Sequence, residues 1–335
     1  MIKILYAGSP DASAETLKIL FNNAAANGFE IAGVLTNPPT AKGRHKELIP
    51  TPVAQMAASL SSDIPVFTPE HLDAACREEI SKLGCDMLVC FAYGHIFGPK
   101  FLSLFKFGGI NLHPSLLPKY RGCTPVNAAI LNRDTETAFT IQTLSLAMDE
   151  GDILAQKKVS LSGTETAGTL LNDAAVSGAD LIAGILKTVS ETGSLPSGTP
   201  QSGEASYTEI IRKEDGKIDW TKSALEIDAK IRAYNPDPIA FCEAGTEDKP
   251  ESLRLLEARA FDLEKAAGAN STITKEQIEG AGPGTVLVFD KPSGIWIKCG
   301  EGILSVTKLQ KQGKNVMGYK DFMNGSRDFI GKVLK

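Results

Sequence analysis

Residues 2–37 read IKILYAGSPDASAETLKILFNNAAANGFEIAGVLTN, and this stretch decides the fold. It begins with an apolar run, IKILYAG, that predicts a buried strand. A helical pattern follows from Asp11 to about Asn27, and a second apolar stretch, FEIAGVLTN, predicts another strand. Strand and helix in alternation indicate an α/β protein built on a mostly parallel, doubly wound sheet.

The same alternation continues along the first half of the chain. Further strands are predicted at 64–69, 86–94, 108–113 and 138–145, with a helix at about 70–83. Together these elements predict a Rossmann-like sheet in a domain covering residues 1–189. Ligands of such sheets bind beyond the carboxyl ends of the strands, so polar residues at strand ends are the first candidates for a site.

A second domain is expected after a linker. Residues 190–206, SETGSLPSGTPQSGEAS, are rich in Ser, Gly, Pro and Thr and have no apolar period, which predicts a loop. In residues 207–335 a helix is predicted at 222–234. It is followed by the short alternating segments TVLVF, IWIKC and ILSVTKL. This pattern predicts a small β-barrel domain that resembles the oligonucleotide-binding (OB) folds.

Composition narrows the class of protein. The chain has 335 residues, of which 42% are hydrophobic and 22% charged, as in ordinary globular proteins. Apolar runs such as MLVCFAY are too short to span a membrane, and the first residues lack the layout of a signal peptide, so we expect a cytoplasmic protein. The six cysteines form no CxxC pair, which argues for reduced thiols and against a zinc site.

The first turn of the chain, GSPDAS at 8–13, invites comparison with dinucleotide-binding proteins. It lacks the GxGxxG spacing that lets the backbone approach a pyrophosphate, and no acidic residue ends the second strand. The sequence therefore argues against NAD or FAD.

Two polar side chains end the strand predicted at 108–113, which reads GGINLH. Asn111 and His113 alternate with Leu112, so their side chains point to the same side of the strand. An amide donor beside an imidazole suits acyl-type transfer, because the amide stabilises an oxyanion and the imidazole assists proton transfer. The alternative is that the His and Asn side chains only make hydrogen bonds within a turn.

An acidic cluster, MDEGDIL at 148–154, follows the strand predicted at 138–145. Its Asp149 is a candidate to orient His113 and to raise the pKa of that imidazole by favouring its charged form. The alternative is an ordinary solvated turn. Since both clusters follow strands of one sheet, each strengthens the functional interpretation of the other.

Basic residues collect in two places on this acidic chain, whose net charge is −5. The stretch NPPTAKGRHKELIPTPV at 37–53 reads as an exposed loop without fixed structure, and its Lys42, Arg44 and Lys46 suit phosphate groups. Residues 302–320 hold four lysines and no acidic residue. Lys308, Lys311 and Lys314 among them could meet an anionic partner. The alternative in both places is a solvated surface.

The stretch NLHPSLLPKYRGCTPV, followed by MDEGDIL, resembles the catalytic domain of the formyltransferases that use 10-formyltetrahydrofolate. Within that superfamily the chain is similar to the branch that formylates methionyl initiator tRNA. The basic loop AKGRHKELIPTPV, the segment KEDGKIDW at 213–220 and the segment IRAYNP at 231–236 carry this closer similarity. The resemblance covers nearly the whole chain.

The resemblance implies a set of roles. Asn111, His113 and Asp149 would act on the formyl group, with no metal. The folate donor would lie near Ser115, Leu116, Leu117 and Pro118, with backbone groups around Phe91 and Tyr93. The initiator tRNA would be bound by the loop residues Lys42, Arg44 and Lys46 and by Lys308, Lys311 and Lys314 of the second domain. Nothing in the resemblance requires more than a monomer.

Three stretches depart from the family pattern. Residues 121–125 read RGCTP where two alanines are commoner, and we expect Cys123 to be a small buried packing residue rather than a reactive thiol. Residues 235–240 read NPDPIA, without the usual Trp. Residues 263–282 form a longer polar insertion, expected to be a surface loop or short helix.

Two other functions remain open from the sequence. An amino-sugar-nucleotide N-formyltransferase would share Asn111, His113 and Asp149 and differ in its amine acceptor. A non-catalytic RNA-binding protein would retain the basic residues without needing all three catalytic side chains.

Overall fold

A computed structural model describes residues 1–42, 46–245, 251–261 and 273–335, without the side chains of Lys42 and Arg327. The chain divides into two compact units. The first consists of Met1–Val126, Glu136–Ser160 and Thr169–Glu209, and the second of Asn127–Thr135, Leu161–Gly168 and Ile210–Lys335.

The first unit is built on a sheet whose order across the described residues is β10-β9-β7-β6-β1-β2-β5. The strands of this sheet are β1 Ile2–Gly8, β2 Phe29–Leu35, β5 Val66–Phe67, β6 Met87–Phe91, β7 Gly109–His113, β9 Glu136–Thr143 and β10 Ile153–Ser160. Strands β1, β2, β5, β6 and β7 run parallel to one another. Strand β9 is antiparallel to both β7 and β10. The prediction of a doubly wound, mostly parallel sheet is confirmed.

Strand order explains why polar residues at strand ends meet. The chain builds the sheet outward from β1 in both directions. Strands β2 and β5 lie on one side of β1, and strands β6 and β7 lie on the other. Parallel strands bring their carboxyl ends to the same edge, so Phe91 of β6 and His113 of β7 lie on one side of the sheet. In the antiparallel neighbour β9, Gln142 is directly opposite Asn111 and Thr140 is opposite His113.

Helices of three kinds cover this sheet and the second unit: capped amphipathic helices, single turns and one long helix. Their bounds are α1 Asp11–Asn23, α2 Pro52–Leu60, α3 Ala74–Ser81, α4 Pro99–Leu102, α5 Pro125–Leu131, α6 Ala167–Thr192 and α7 Ala224–Ala233, then Lys275–Gly280 and Tyr319–Asn324. Helix α2 begins where the Thr51 side chain accepts a hydrogen bond from the Ala54 amide, with Pro52 at its first position.

Helix α6 is long and apolar enough to cross a membrane by length and composition alone. Half of its apolar stretch is buried, however, and Leu170, Ile182 and Leu186 along it are inaccessible to solvent or nearly so. The Thr16 hydroxyl donates to the Ala175 carbonyl at 3.3 Å and ties α1 to α6. These contacts are those of a core helix.

The loop at 37–53 is more regular than expected. Strands β3 Thr40–Lys42 and β4 Glu47–Ile49 pair as an antiparallel hairpin, with Lys42 opposite Glu47. Residues 43–45, which include Arg44, lie outside the described residues. For the flanking strands the expectation of a loop without fixed structure is therefore wrong, because backbone pairing orders a segment that has few apolar anchors.

The predicted linker at 190–206 also differs from expectation, since it makes specific contacts with the first unit. Helix α6 continues to Thr192, and Thr199 exchanges two backbone hydrogen bonds with Ile153. Farther along, strand β11 Tyr207–Thr208 pairs in parallel with strand β8 Arg121–Gly122. The chain accordingly passes into the second unit for the last time between Glu209 and Ile210.

The second unit is an antiparallel sheet in the order β12-β13-β16-β15-β14, with β17 beside β16. Its strands are β12 Phe241–Glu243, β13 Ser252–Phe261, β14 Val286–Asp290, β15 Gly294–Lys298, β16 Ile303–Lys311 and β17 Met317–Gly318. Helix α7 has a reciprocal cap between Ser223 and Glu226, as its sequence pattern suggests. The predicted small β domain is confirmed, and its closure into an OB-like barrel stays a prediction.

The polar insertion at 263–282 is described only from residue 273 onwards. The last part contains the helix Lys275–Gly280, which begins with a cap between Thr274 and Gln277. Ile273 and Ile278 are buried in a small cluster with Trp296 and Ile303. The end of this insertion is thus attached to the sheet through apolar side chains.

Candidate active site

Asn111, His113 and Asp149 meet in the first unit. Asn111 and His113 come from β7, and Asp149 comes from the loop that joins β9 to β10. The Asp149 Oδ1 atom lies 3.5 Å from both the Asn111 Nδ2 and the His113 Nδ1. Residues from two distant parts of the chain are therefore gathered around one carboxylate oxygen.

His113 is held in one tautomer by its buried surroundings. Its side chain is 5% exposed, and its Nε2 lies 2.9 Å from the carbonyl oxygen of Tyr120. A carbonyl only accepts hydrogen bonds, so Nε2 carries the proton and donates it. In the neutral ring the lone pair is consequently on Nδ1, which faces Asp149.

Burial lowers the pKa of His113 below its ordinary value of 6.5. The Asp149 charge and the hydrogen bond to Tyr120 act in the opposite direction, but burial has the larger effect. Asp149 thus favours the charged imidazole, as expected from the sequence, but burial outweighs this effect and the net pKa is lowered. At neutral pH the ring is uncharged and acts as a proton acceptor.

The Asp149 side chain is 12% exposed, and its two oxygens accept hydrogen bonds from different elements. Its Oδ1 accepts from Gln142 Nε2 and its Oδ2 accepts from the Gly122 amide, both at 2.8 Å. The backbone of Asp149 has φ = 54°, in the left-handed region that few residues other than Gly adopt. The carboxylate is thus aimed by its bonding partners and by an unusual turn.

The turn after Asp149 requires a glycine at position 151. A Cβ at this position would lie 1.7 Å from the Thr143 carbonyl oxygen, which no side chain allows. The loop therefore returns against the end of β9, and this close approach brings Asp149 next to Gln142.

Gln142 is a site residue that is not among those predicted from the sequence. Its position in AFTIQTLS offered a signal, because a Gln directly after the apolar pair Phe139 and Ile141 is out of place in a buried strand. Gln142 is 2% exposed and lies opposite Asn111 in the strand register. A polar side chain in that position on a buried strand needs a partner, and Asp149 is that partner.

Gln201 and Arg121 form a second layer behind the carboxylate. Gln201 Nε2 donates to the carbonyl oxygens of Asp149 and Gly151, each at 2.8 Å. Arg121 donates to Gln201 Oε1 through Nη2 at 2.8 Å and to Glu150 Oε1 through Nη1 at 2.9 Å. Sequence patterning offered no signal for Gln201, since it lies in the Ser- and Gly-rich stretch predicted to be a linker.

The residues predicted to contact the folate donor fall into two groups. Ser115 is fully buried, and its hydroxyl donates to the Lys119 carbonyl while its own carbonyl accepts from Thr140. Leu117 is also buried, whereas Leu116 and Pro118 are half-buried. Ser115 therefore shapes the loop after β7, and Leu116 and Pro118 provide its accessible surface.

Phe91 ends β6 and Tyr93 follows it, at the same edge of the sheet as His113. Their side chains are 1% and 2% exposed, and the Tyr93 ring stacks on Phe97 with 5.5 Å between ring centroids. Between them Ala92 is exposed and has φ = 52°. This turn therefore offers a ligand its backbone rather than its aromatic side chains.

Cys123 contradicts the expectation of a buried packing residue. Its side chain is exposed, directly after the Gly122 amide that donates to Asp149. The neighbouring Thr124 hydroxyl donates to the Glu209 carbonyl, so the chain turns outward at Cys123.

The predicted basic residues belong to both units. Lys308 is exposed on β16 and pairs with Glu257. Lys311, further along the same strand, donates to the Ser326 hydroxyl at 2.8 Å and lies 4.9 Å from the centre of the Phe322 ring. Lys314 is exposed in the turn that follows, and Lys46 is exposed in the first unit. Arg44 and the Lys42 side chain lie outside the described residues.

In the part of the chain that the structure describes, no cluster of three or more His, Cys, Asp or Glu side chains could hold a metal ion. The donors around Asp149 are amides, and amide donors suit an organic substrate with a developing negative charge.

Comparisons with known proteins identify the family of the chain. Residues 2–183 match the family model described as formyl transferase, and residues 210–327 match the model of its C-terminal domain. The first match covers more than half of the chain and includes Asn111, His113 and Asp149.

Individual relatives are similar over nearly their full length. The methionyl-tRNA formyltransferase of Treponema denticola is 41% identical over 336 residues, covering 98% of each chain. Two solved structures share the fold at lower identity. The methionyl-tRNA formyltransferase from Clostridium thermocellum matches 77% of this chain and 93% of its own, with a TM-score of 0.56 and 16% identity. HypX from Aquifex aeolicus in complex with tetrahydrofolic acid matches 98% of this chain and 48% of its own, with a TM-score of 0.61 and 13% identity.

Two family models in the expected order and a relative above 30% identity establish the relationship, and the chain belongs to the formyltransferase family, in the group of methionyl-tRNA formyltransferases.

Proposed function

We propose that this chain transfers a formyl group from 10-formyltetrahydrofolate to the α-amino group of methionyl initiator tRNA. The product is N-formylmethionyl-tRNA, which serves translation initiation, and we place the enzyme in the cytoplasm as a monomer. The observation that carries the proposal is the convergence of Asn111 and His113 on the Asp149 carboxylate, within a chain that matches methionyl-tRNA formyltransferases over nearly its full length.

The chemistry begins with a neutral amine, since an ammonium group has no lone pair with which to attack. The amine nitrogen bonds to the formyl carbon, and the electron pair of the carbonyl moves onto its oxygen. Asn111 donates its amide hydrogen to this oxyanion. Removing one such donor typically costs a factor of about 10²–10³ in rate.

The attacking nitrogen must then lose a proton. His113 Nδ1 and Asp149 Oδ1 lie 3.5 Å apart, and we place the incoming amine beside them. His113 takes the proton, and Asp149 stabilises the imidazolium that forms. When the bond between the formyl carbon and N10 breaks, N10 receives a proton, and tetrahydrofolate and the formylated amine result. No metal takes part.

The folate donor is assigned to the edge of the sheet next to His113. The loop 115–118 offers the half-buried Leu116 and Pro118 as apolar contacts, while Ser115 and Leu117 maintain the loop from inside. The turn of Phe91 and Tyr93 offers backbone groups to the pterin. HypX, which shares the fold, was solved in complex with tetrahydrofolic acid, and this supports a folate ligand for the present chain.

The tRNA is assigned to the basic residues of both units. Lys42, Arg44 and Lys46 in the hairpin loop would meet the end of the acceptor stem. Lys308, Lys311 and Lys314 of the second unit would meet the backbone. Phosphate contacts of this kind supply most of the affinity of nucleic-acid complexes and weaken steeply with salt.

A formylation assay tests the proposal. Purified protein is given 10-formyltetrahydrofolate and methionine-charged initiator tRNA, with charged elongator tRNA as the control and an amino-sugar nucleotide as a competing acceptor. We expect rapid transfer to the initiator alone. Transfer only to the amino sugar would refute the proposed substrate, and binding of tRNA without any transfer would refute the proposed activity.

A further inference from the structure

Gln201 lies on a segment that is attached to strand β10 at one end and to strand β8 at the other. On one side Thr199 and Ile153 exchange backbone hydrogen bonds of 2.8 and 2.9 Å. On the other side the Ser206 carbonyl accepts from the Arg121 amide at 2.8 Å, and Tyr207 pairs with Arg121. Gln201 is therefore held in place independently of its own side chain.

The Gln201 side chain holds the turn that presents the catalytic carboxylate. Its Nε2 donates to the carbonyl oxygens of Asp149 and Gly151, one on each side of Glu150. Asp149 has its unusual backbone conformation in this turn. Two hydrogen bonds from one amide thus fix both ends of the segment in which Asp149 departs from common backbone geometry.

Arg121 fixes the orientation of the Gln201 side-chain amide, that is, the positions of its oxygen and its nitrogen. Its Nε and Nη2 donate to Gln201 Oε1 at 3.1 and 2.8 Å. A guanidinium only donates, so the oxygen of the amide must face Arg121 and the NH₂ group must face the loop. Arg121 is itself anchored by Glu150 and by the Tyr207 hydroxyl.

A second route leads from Gln201 to the carboxylate through Gln142. Gln201 Nε2 is also 3.2 Å from Gln142 Oε1, and because an NH₂ group has two hydrogens, this longer bond shares a hydrogen with one of the loop carbonyls. Gln142 Nε2 in turn donates to Asp149 Oδ1 at 2.8 Å. The same Asp149 oxygen faces His113 and Asn111. Hydrogen bonds therefore connect Arg121 to Asp149 both along the backbone and through side chains.

We propose that Gln201 is a positioning residue for the transfer reaction, acting on Asp149 through the turn at 149–151 and through Gln142. This inference rests on the proposed function. Gln201 contributes no group to the reaction but sets the direction in which the carboxylate meets His113 and the incoming amine. It should therefore affect the rate of the bound complex and leave substrate affinity unchanged.

The variant that tests this role is Gln201→Glu, which keeps the size of the side chain and its acceptor for Arg121. A carboxylate cannot donate to the two carbonyl oxygens of the loop. We expect kcat to fall by about 10- to 100-fold, the range associated with a misplaced catalytic group. The KM values for the folate and for the tRNA should stay unchanged.

Two further variants complete the experiment. Gln277→Ala removes a hydrogen-bonded glutamine from a helix cap of the second unit and should leave kcat unchanged. Gln142→Met removes the side-chain route alone, and its effect on kcat should not add to that of Gln201→Glu, because both act on one carboxylate. Should Gln201→Glu fail to fold, Gln201→Met removes the same two donors without adding a charge and carries the test through its kcat.

Each outcome has a definite meaning. Wild-type kcat in Gln201→Glu, or in Gln201→Met if the former does not fold, would overturn the positioning role while leaving the proposed function intact. A raised KM with unchanged kcat would overturn it as well, since that result indicates a contact with substrate. Absence of transfer by the unaltered protein would refute the proposed function and the positioning role with it.

Discussion

Asp149→Asn is the most informative single change, because it preserves shape and removes only the charge and one acceptor. Asp149 accepts from Gln142 Nε2 and from the Gly122 amide, one donor to each oxygen at 2.8 Å. An asparagine has a single oxygen, so one of these donors must face an NH₂ group. A donor left unpaired in a largely buried place costs about 1–3 kcal/mol of stability.

The catalytic loss should be larger than the loss of stability. Without the carboxylate the imidazolium that forms on His113 has no counter-charge, and proton transfer from the amine slows. General acid–base assistance is worth about 10²–10⁴ in rate. At about 1.36 kcal/mol per factor of ten this equals about 3–5 kcal/mol of activation free energy. We therefore expect kcat to fall by that factor while the KM for tRNA changes little.

The assay combines steady-state formylation with urea unfolding of the same preparations. Asp152→Asn is the matched control, because Asp152 is exposed three residues further along the loop and undergoes the same change of charge. The control should retain both rate and stability. A near-normal kcat in Asp149→Asn, with the control also normal, would refute the assignment of Asp149 to the proton transfer.

Three other predictions concern pH, the turn and the tRNA. Because burial lowers the pKa of His113, the unfolded chain binds more protons than the folded one between the lowered value and 6.5. Stability should therefore fall as pH decreases through that window, and His113→Gln should remove this part of the dependence, as measured by unfolding at a series of pH values. Gly151→Ala should abolish transfer and destabilise the first unit, since its Cβ would overlap the Thr143 carbonyl; retained activity in the formylation assay would contradict the account of the turn. Lys314→Ala should weaken tRNA binding and reduce the slope of log K against log salt by about 0.7–0.9 if one phosphate contact is lost, whereas an unchanged slope would remove Lys314 from the interface.

The fold was predictable where burial dictated the pattern. Strands β1, β6 and β7 are buried on both faces and appear in the sequence as continuous apolar runs. Strand β10, ILAQKKVS, lies at the edge of the sheet and is only partly buried. Because half of its residues are polar, its sequence does not show the apolar pattern of a strand. Strand register and edge position depend on distant parts of the chain, which no local pattern reports.

The catalytic site was predictable only in part for a related reason. Asn111 and His113 share one strand, and their spacing alone places them on the same side. Gln201 acquires its role from the pairing of Thr199 with Ile153, a contact between segments that are far apart in the chain. The pKa of His113 could not be inferred either, because the nearby carboxylate suggested an upward shift and the burial that outweighs it became visible only in the folded chain.

The arrangement also separates catalysis from the choice of acceptor. In the proposed mechanism Asn111, His113 and Asp149 act on the formyl group and the amine, and none of their contacts identifies the molecule to which the amine belongs. Discrimination must then come from groups outside this set, and the exposed Lys46, Lys308 and Lys314 are the charged candidates. Changes at the catalytic set should therefore lower kcat for every amine that enters the site. Changes at the lysines should raise KM for tRNA alone, so the two kinds of variant can be distinguished by kinetics without a structure of the complex.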